Sequence, residues 1–350
     1  MPELLIDLFP EELAERLKEM GQPSFRAKQV FTWLHKGVNY QEMSNIPASL
    51  REKLSAIDVG QPVRILESFV SKKDGTEKYL FELRDGHCVE GVLMRYKYGA
   101  TLCISTQVGC KMGCAFCAST LEGCIRNLES GEMLGQVLAV NRHLTDEKVH
   151  NIVLMGSGEP LDNYDNVVRF LRLVSHEMGL NIGLRHISLS TCGLAPRMEN
   201  LAEEGLPVTL SVSLHAPNDA IRRKIMPIAN TYSIQRLMTA CRYWVEKTGR
   251  RIVFEYALID NVNAQPQQAK ELAALLRGLQ CHVNLIPLND VKERNLNGVS
   301  RQTAEDFMKE LEDRHISATI RREMGSDIQG ACGQLRRRYL KLNMGEKEGN

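Results

Sequence analysis

From residue 101 onward the chain keeps one rhythm, and that rhythm restricts the fold more than any single motif does. Apolar, strand-like runs fall at 101–107, 150–155, 185–191, 208–214, 252–258 and 282–287, with another at 316–321. Between most of them lie stretches with apolar residues at helical spacing: 130–143, 163–176, 194–204, 233–247, 266–277 and 301–313. Strand and helix in regular alternation build a parallel sheet through right-handed crossovers. Six such units are too few for a closed eightfold barrel. The expectation is therefore an α/β fold, an open partial (β/α)6 barrel, over residues 99–345.

Two smaller regions precede it. Residues 1–60 read as helices and predict a small N-terminal helical domain. Pro10-Glu11-Glu12 opens one helix with proline and acids in its first turn, and 25–36 and 47–57 repeat the helical spacing. Residues 61–98 alternate instead, with turns at Lys73-Asp74-Gly75 and Arg84-Asp85-Gly86. They predict a short antiparallel β extension.

Composition narrows the class. Hydrophobic residues make up 43% and charged residues 25%, as in globular proteins. No run of about 18 apolar residues exists, so no membrane span is expected. The acidic start MPELLIDLFPEELAERL is unlike a secretory signal. Ten cysteines scattered over 350 residues fit a reducing compartment, and the expectation is a cytoplasmic monomer. The net charge of +1 gives no general attraction for polyanions. Local basic runs do: Arg222-Arg223-Lys224, Arg250-Arg251, Arg321-Arg322, and Arg336-Arg337-Arg338 with Lys341.

The first strand runs into Cys110-Lys111-Met112-Gly113-Cys114-Ala115-Phe116-Cys117. Three thiolates in one short loop can converge on an inorganic cluster, and three rather than four local ligands leave one iron open for a small molecule. Zinc completed by Cys103 or Cys124 is the competing reading. Barrels of this kind carry reactive groups at the C-terminal ends of their strands, and the unusual residues fall there in succession. They are Gly156, Gly158 and Glu159, then Ser190, then Ser213, Leu214 and His215, then Asn289. Glu159 suits an α-ammonium group. Ser190, Ser213 and Asn289 suit helix caps as well as bonds to a ribose or carboxylate, and a lone histidine such as His215 is commonly structural. Together with an open iron they describe a pocket for an amino-acid-bearing nucleoside, which S-adenosylmethionine fits. On strand 101–107, Cys103 shares the polar face with Ser105 and Gln107, opposite Leu102 and Ile104.

The C-x3-C-x2-C spacing resembles that of the radical S-adenosylmethionine superfamily. The surrounding text is closer still to one family within it, the RlmN family of dual-specificity rRNA/tRNA adenine-C-2 methyltransferases. The similar segments are TLCISTQVGCKMGCAFCAS, MGSGEPLDNYDNV, RHISLSTCG, VTLSVSLHAPND, RRKIMPIAN, HVNLIPLN and DIQGACGQLRR, in order from about 101 to 338. The related enzymes that methylate C-8 of the same adenosine resemble the chain less, since Gly158-Glu159-Pro160 and Ile286-Pro287 side with RlmN. Departures are Ser157, where relatives have methionine or threonine, and Gln329-Gly330 ahead of Ala331-Cys332, where the family often has an acidic residue and alanine.

The resemblance implies specific roles. Cys110, Cys114 and Cys117 would bind one 4Fe-4S cluster. Gly158, Glu159, Ser190, Ser213, Leu214, His215 and Asn289 would line the S-adenosylmethionine site. Cys332 would be methylated during turnover, with Cys103 its partner thiol and either Glu90 or Cys103 the acceptor of the C-2 proton. The implied substrate is adenosine 2503 of 23S rRNA, with adenosine 37 of tRNA in some members. Two S-adenosylmethionine molecules would be used in ping-pong fashion. One methylates Cys332, and the other yields the radical that removes hydrogen from the S-methyl group. Cys103 would release the product as a Cys103–Cys332 disulfide, reset by a cytoplasmic donor such as flavodoxin or ferredoxin. An electron-transfer iron–sulfur protein and a zinc-stabilised RNA-binding module are the readings of other classes.

Overall fold

The computed structural model describes residues 4–288 and 296–328. Asn289, Cys332, the Arg336–Arg338 run and Lys341 lie outside the described residues.

Three helices come first: α1 (Pro10–Glu19), α2 (Phe25–Leu34) and α3 (Ala48–Ile57). Phe9 precedes α1, and Glu12 accepts from the Phe9 backbone amide at 2.7 Å, closing the first turn. A meander follows, β1 (Val63–Val70), β2 (Glu77–Leu83), β3 (Cys88–Tyr96) and β4 (Gly99–Cys103). Its hairpins are antiparallel, and β3–β4 is the last such pair.

After β4 come a short ribbon of β5 (Gln107–Gly109) and β6 (Cys124–Asn127), then α4 (Ser130–His143). The alternating part continues as β7 (Val149–Leu154), α5 (Tyr164–Val174), β8 (Ile187–Thr191), α6 (Ala195–Glu203), β9 (Thr209–Ser213), α7 (Asp219–Ile225) and α8 (Ile234–Thr248). It ends with β10 (Ile252–Leu258), α9 (Pro266–Leu276), β11 (Cys281–Pro287), α10 (Arg301–Glu312) and β12 (Ala318–Ile320).

The sheet order is β1-β2-β3-β4-β7-β8-β9-β10-β11-β12, parallel from β4 onward. β4 is thus both the last antiparallel and the first parallel strand, and the extension and the barrel share one sheet. β4 and β12 are not neighbours, so the barrel stays open, as expected. No helix among the described residues is long and apolar enough to cross a membrane.

Strand alternation sorts the side chains. Ile152, Leu189, Leu210, Phe254 and Leu285 are buried in the main core, together with Leu171, Trp244, Leu272 and Phe307 of the helices. Trp244 is fully buried, so truncating it to alanine would cost about 3–5 kcal/mol. The alternate residues Ser188, Ser190, Ser211, Ser213, Glu255 and Asn284 point into the barrel, and polar contacts already join them there. Ser188 and Ser211 hydroxyls are 3.3 Å apart, and Asn284 donates to Glu255 at 2.8 Å.

Two differences from the sequence reading have clear causes. The first barrel strand ends at Cys103 instead of continuing to 107, because the chain turns off the sheet there to enter the ribbon. Helix α7 gave little periodic signal in seven residues; it is fixed by Asn218, whose side chain accepts from the Ile221 amide at 3.0 Å.

Long-range ties hold the ends in place. Beyond β12, Gly325 donates to Asp74 at 2.9 Å, and Asp327 accepts from Ser71 Oγ at 2.6 Å and the Lys72 amide at 2.9 Å. One edge of the sheet is thereby strapped to the β1–β2 turn. At the other end, the Asp7 carboxylate accepts from Ser130 Oγ at 2.6 Å and from the Gly131 amide, in the first turn of α4. It satisfies orphan donors of that helix and meets the positive end of its dipole. Asp7→Ala should lower the stability of the folded protein by about 1–2 kcal/mol in urea denaturation. An unchanged midpoint would show that this tie contributes nothing.

Candidate active site

Three residues, Ile104–Thr106, lead from β4 to β5 and on to the cysteine loop, and each of their backbone groups has a partner. The Ile104 amide donates to Val153 O and its carbonyl accepts from Gly156 N, both at 3.0 Å. Gln136 of α4 reads both backbone groups of Ser105 at 3.0 Å. Thr106 and Gln107 amides donate to Ser157 O, and Asn163 donates to Thr106 O at 2.9 Å. Gly158 lies against this bend with φ +114, and a Cβ there would sit 2.6 Å from Thr106 Oγ1. Its lack of a side chain serves chain-to-chain packing as much as any ligand.

The cysteine loop is anchored at both ends. Gly109 has φ +81, and a Cβ there would fall 2.0 Å from Gly123 O in the facing strand. Ala115 donates to Ile225 O at 2.8 Å, and Thr120 Oγ1 to Cys117 O at 2.9 Å. Cys110, Cys114 and Cys117 all line one cavity of about 250 Å³. Burial pushes the Cys110 and Cys114 thiols up to about 12, and proximity to Cys117 and to Glu159 adds to it. Three cysteines facing one cavity are a donor set of the chemistry an iron–sulfur cluster takes, to which they would bind as thiolates. The residues fit an iron–sulfur cluster. Neither Cys103 nor Cys124 lines this cavity, although Cys124 lies near enough to Cys110 to raise its thiol.

The cavity opens at the C-terminal strand ends, and Gly158, Glu159, Ser190, Ser213 and His215 line it with the cysteines. Leu214 does not. Its side chain is in the main core, and its amide is taken by Glu255 O at 3.1 Å. The helix-cap alternative for the serines also falls away, since α7 is capped by Asn218 and α6 starts after Leu194. Glu159 is almost fully buried and already engaged. Its carboxylate accepts from the Leu161 amide at 3.0 Å and the Cys192 amide at 2.7 Å, and the Thr191 hydroxyl and Cys192 thiol also reach it. Burial pushes it up against the pull of these donors. It buckles the loops after β7 and β8 together.

His215 sits at φ +53, with Nδ1 accepting from the Ala257 amide at 2.9 Å, which places its proton on Nε2. Burial, then Arg222, hold it down to about 3, so the ring is neutral. Its ring packs edge-on to Phe116 of the cysteine loop, 4.7 Å between centroids.

Arg222 corrects the sequence reading. Counted there in a basic run for polyanions, it is fully buried. Its guanidinium donates to Cys192 O at 2.7 Å and to Leu214 O and Ser213 O at 3.2 Å, clamping the ends of β8 and β9 from α7. Glu255 was also missed. It lines the cavity between Ser213 and Asn284 in register, and burial pushes its carboxyl up. The available signal was a single glutamate inside an otherwise apolar strand, FEYAL.

Cys103 and Glu90 lie deeper, on the same inner face. Cys103 pairs with Val92 and packs with Val92 and Met94, against Val153, Met155 and Met324. Met155 also lines the cavity. Glu90 is two residues from Val92 and therefore on that face. Its carbonyl accepts from Ser105 Oγ at 2.8 Å, and its carboxylate meets Lys78 Nζ at 3.1 Å.

With this geometry in hand, comparisons with known proteins are decisive. Residues 104–276 match the radical SAM superfamily, and residues 4–59 match the ribosomal RNA large subunit methyltransferase N-terminal domain. A probable dual-specificity RNA methyltransferase RlmN of Clostridium tetani is 53% identical over 343 residues, 98% of each chain. The chain belongs to the RlmN family. An RlmN relative from Alkaliphilus metalliredigens is likewise 53% identical, over 96% of each chain. A radical SAM methyltransferase structure from Sphaerobacter thermophilus superposes with a TM-score of 0.92 at 44% identity, covering 95% of this chain and 99% of that one. The fold is the radical SAM α/β fold, extended in RlmN fashion by the helices and the antiparallel strands.

In this RlmN-family site the Arg222 clamp is the part most open to test. A lysine cannot span three carbonyls from one point charge, and each buried carbonyl left without a donor costs about 1–3 kcal/mol. Arg222→Lys should lower the urea midpoint and reduce iron retained after anaerobic reconstitution. Unchanged values for both would remove the clamp from the account.

Proposed function

We propose that this protein is a radical S-adenosylmethionine RNA methyltransferase that methylates C-2 of adenosine 2503 in 23S rRNA, and adenosine 37 of tRNA as a second substrate. The observation that carries this reading is one cavity shared by three cysteines and the serine-bearing strand ends, in a chain of the RlmN family.

Cys110, Cys114 and Cys117 would hold a 4Fe-4S cluster, which when bound would supply the electron for reductive cleavage of S-adenosylmethionine. Ser190, Ser213 and Asn289 bond the donor's ribose and carboxylate, and Met155, Phe116 and Met226 give it apolar walls. We assign the donor's ammonium group to Glu159 together with the carbonyls of Gly156 and Gly158, which line the cavity beside it. His215 contributes its Nε2 proton.

C-2 of adenine has no lone pair, so a polar methyl transfer to it is closed. Cys332 takes the methyl group first, its thiolate being a competent nucleophile. It then carries that carbon to C-2 after hydrogen loss. The C-2 proton leaves to Glu90 and the adduct gives back the one electron taken up in donor cleavage; Cys103 then attacks the Cys332 sulfur, the released carbon takes a proton to become the methyl group, and a reductant such as flavodoxin or ferredoxin resets the disulfide. The target base must be unstacked to enter the barrel. We assign Arg322, exposed beyond β12, to RNA phosphate, with Arg321 beside it at the cavity mouth. We place the protein in the cytoplasm, acting as a monomer.

Mapping methylated adenines in rRNA and tRNA from cells with and without the protein tests the activity. The expected product is 2-methyladenosine, and finding 8-methyladenosine or no change would refute the assignment. Cys332→Ala should abolish methylation while S-adenosylmethionine cleavage continues. Cys103→Ala should leave protein covalently attached to RNA, and free RNA at normal turnover would remove Cys103 from its role.

A further inference from the structure

Lys78 is a lysine with almost no exposure, inside strand β2, and its partner Glu90 is as deeply buried. Their side chains are 2% and 4% exposed, with Nζ 3.1 Å from Oε2. Lys78 pairs with Val92 across β2–β3, and Val92 pairs with Cys103 across β3–β4. Directly paired residues share a face, so Lys78, Glu90 and Cys103 all lie on the inner face of the sheet. Cys103 packs there with Val92, Met94 and Met155.

A buried ion pair of this kind does little for stability. Two charges taken from water recover about what their desolvation costs, and apolar replacements of the same size serve as well or better. Charged pairs in such settings gather where chemistry needs them.

We propose that Lys78 is the positioning residue for Glu90, pinning Oε2 so that the carboxylate stays on the face it shares with Cys103. This rests on the reaction proposed above. In the step concerned the C-2–H bond of the RNA-bound adduct breaks. Its proton passes to a Glu90 oxygen, and the bonding pair stays with the purine ring. Lys78 touches neither RNA nor donor; it acts through Glu90.

The test uses reconstituted holoenzyme, S-adenosylmethionine and an rRNA transcript containing the target adenosine. Lys78→Met should slow methylation at least about tenfold, the scale of a misplaced general base. The KM for RNA should stay within about twofold of wild type. Single-turnover 5′-deoxyadenosine should be unchanged, and a covalent protein–RNA species should accumulate on denaturing gels. Lys78→Arg, which restores a cation to Oε2, should recover most of the turnover and lose the adduct. Normal methylation by Lys78→Met overturns the proposal, and so does slow methylation with no adduct. If Lys78→Met does not fold, Lys78→Gln keeps a polar side chain beside Oε2 without the cation. Slowed methylation with adduct accumulation supports the assignment, and normal turnover overturns it. Cys103→Ala separates the levels: if it traps no adduct, the proposed reaction itself fails. If it traps one while Lys78→Met does not, only the role of Lys78 falls.

Discussion

The structure depends on the bend between Cys103 and Gly109. A parallel strand buried on both faces cannot simply stop, because each backbone amide and carbonyl it leaves behind costs free energy without a partner. Here Val153, Gly156 and Ser157 of the neighbouring loop, Gln136 of α4 and Asn163 ahead of α5 take those groups one by one. The chain can therefore leave the sheet in a fixed direction. Cys103 stays on the inner face, and the three cysteines a few residues later reach the rim.

The rim is held by the same means. Glu159 gathers donors from the loops after β7 and β8, and Arg222 gathers carbonyls from the ends of β8 and β9. Each is a buried charge surrounded by backbone groups of opposite polarity, and such hydrogen bonds are among the stronger ones available to a protein. A cavity whose walls are fixed in this way loses little entropy when a ligand enters. The serines and Glu255 along the inner face then face a space whose shape is already set.

A second chemical region lies below the first, on strands that belong to the antiparallel extension. Because β4 pairs antiparallel with β3 and parallel with β7, one continuous inner face carries both the cavity and the Cys103–Glu90–Lys78 group. Met155 touches both regions. In the proposed reaction the rim generates the reactive carbon and the deeper group finishes the transfer, with the sheet itself fixing their separation.

Much of this was written in the chain. The positions of the parallel strands, most of the helices and the cysteine loop follow from local periodicity and spacing, because burying one face of each element demands it. The opposed faces of Leu102 and Cys103 followed from the two-residue period of a strand. What local pattern could not decide was how distant segments meet. Arg222 sits in a basic run indistinguishable from a solvated face, and only the packing of α7 against two strand ends gives it carbonyls to bind. Glu90 and Lys78 are 12 positions apart on separate strands, and their pairing depends on hairpin register. Glu159 was readable as a ligand-facing acid, and it does line the cavity, but only the fold shows that its carboxylate also accepts from the Leu161 and Cys192 amides. Sequence determines which groups can react or bind; the fold determines which of them are already satisfied, because a hydrogen bond needs a partner brought within about 3 Å from elsewhere in the chain.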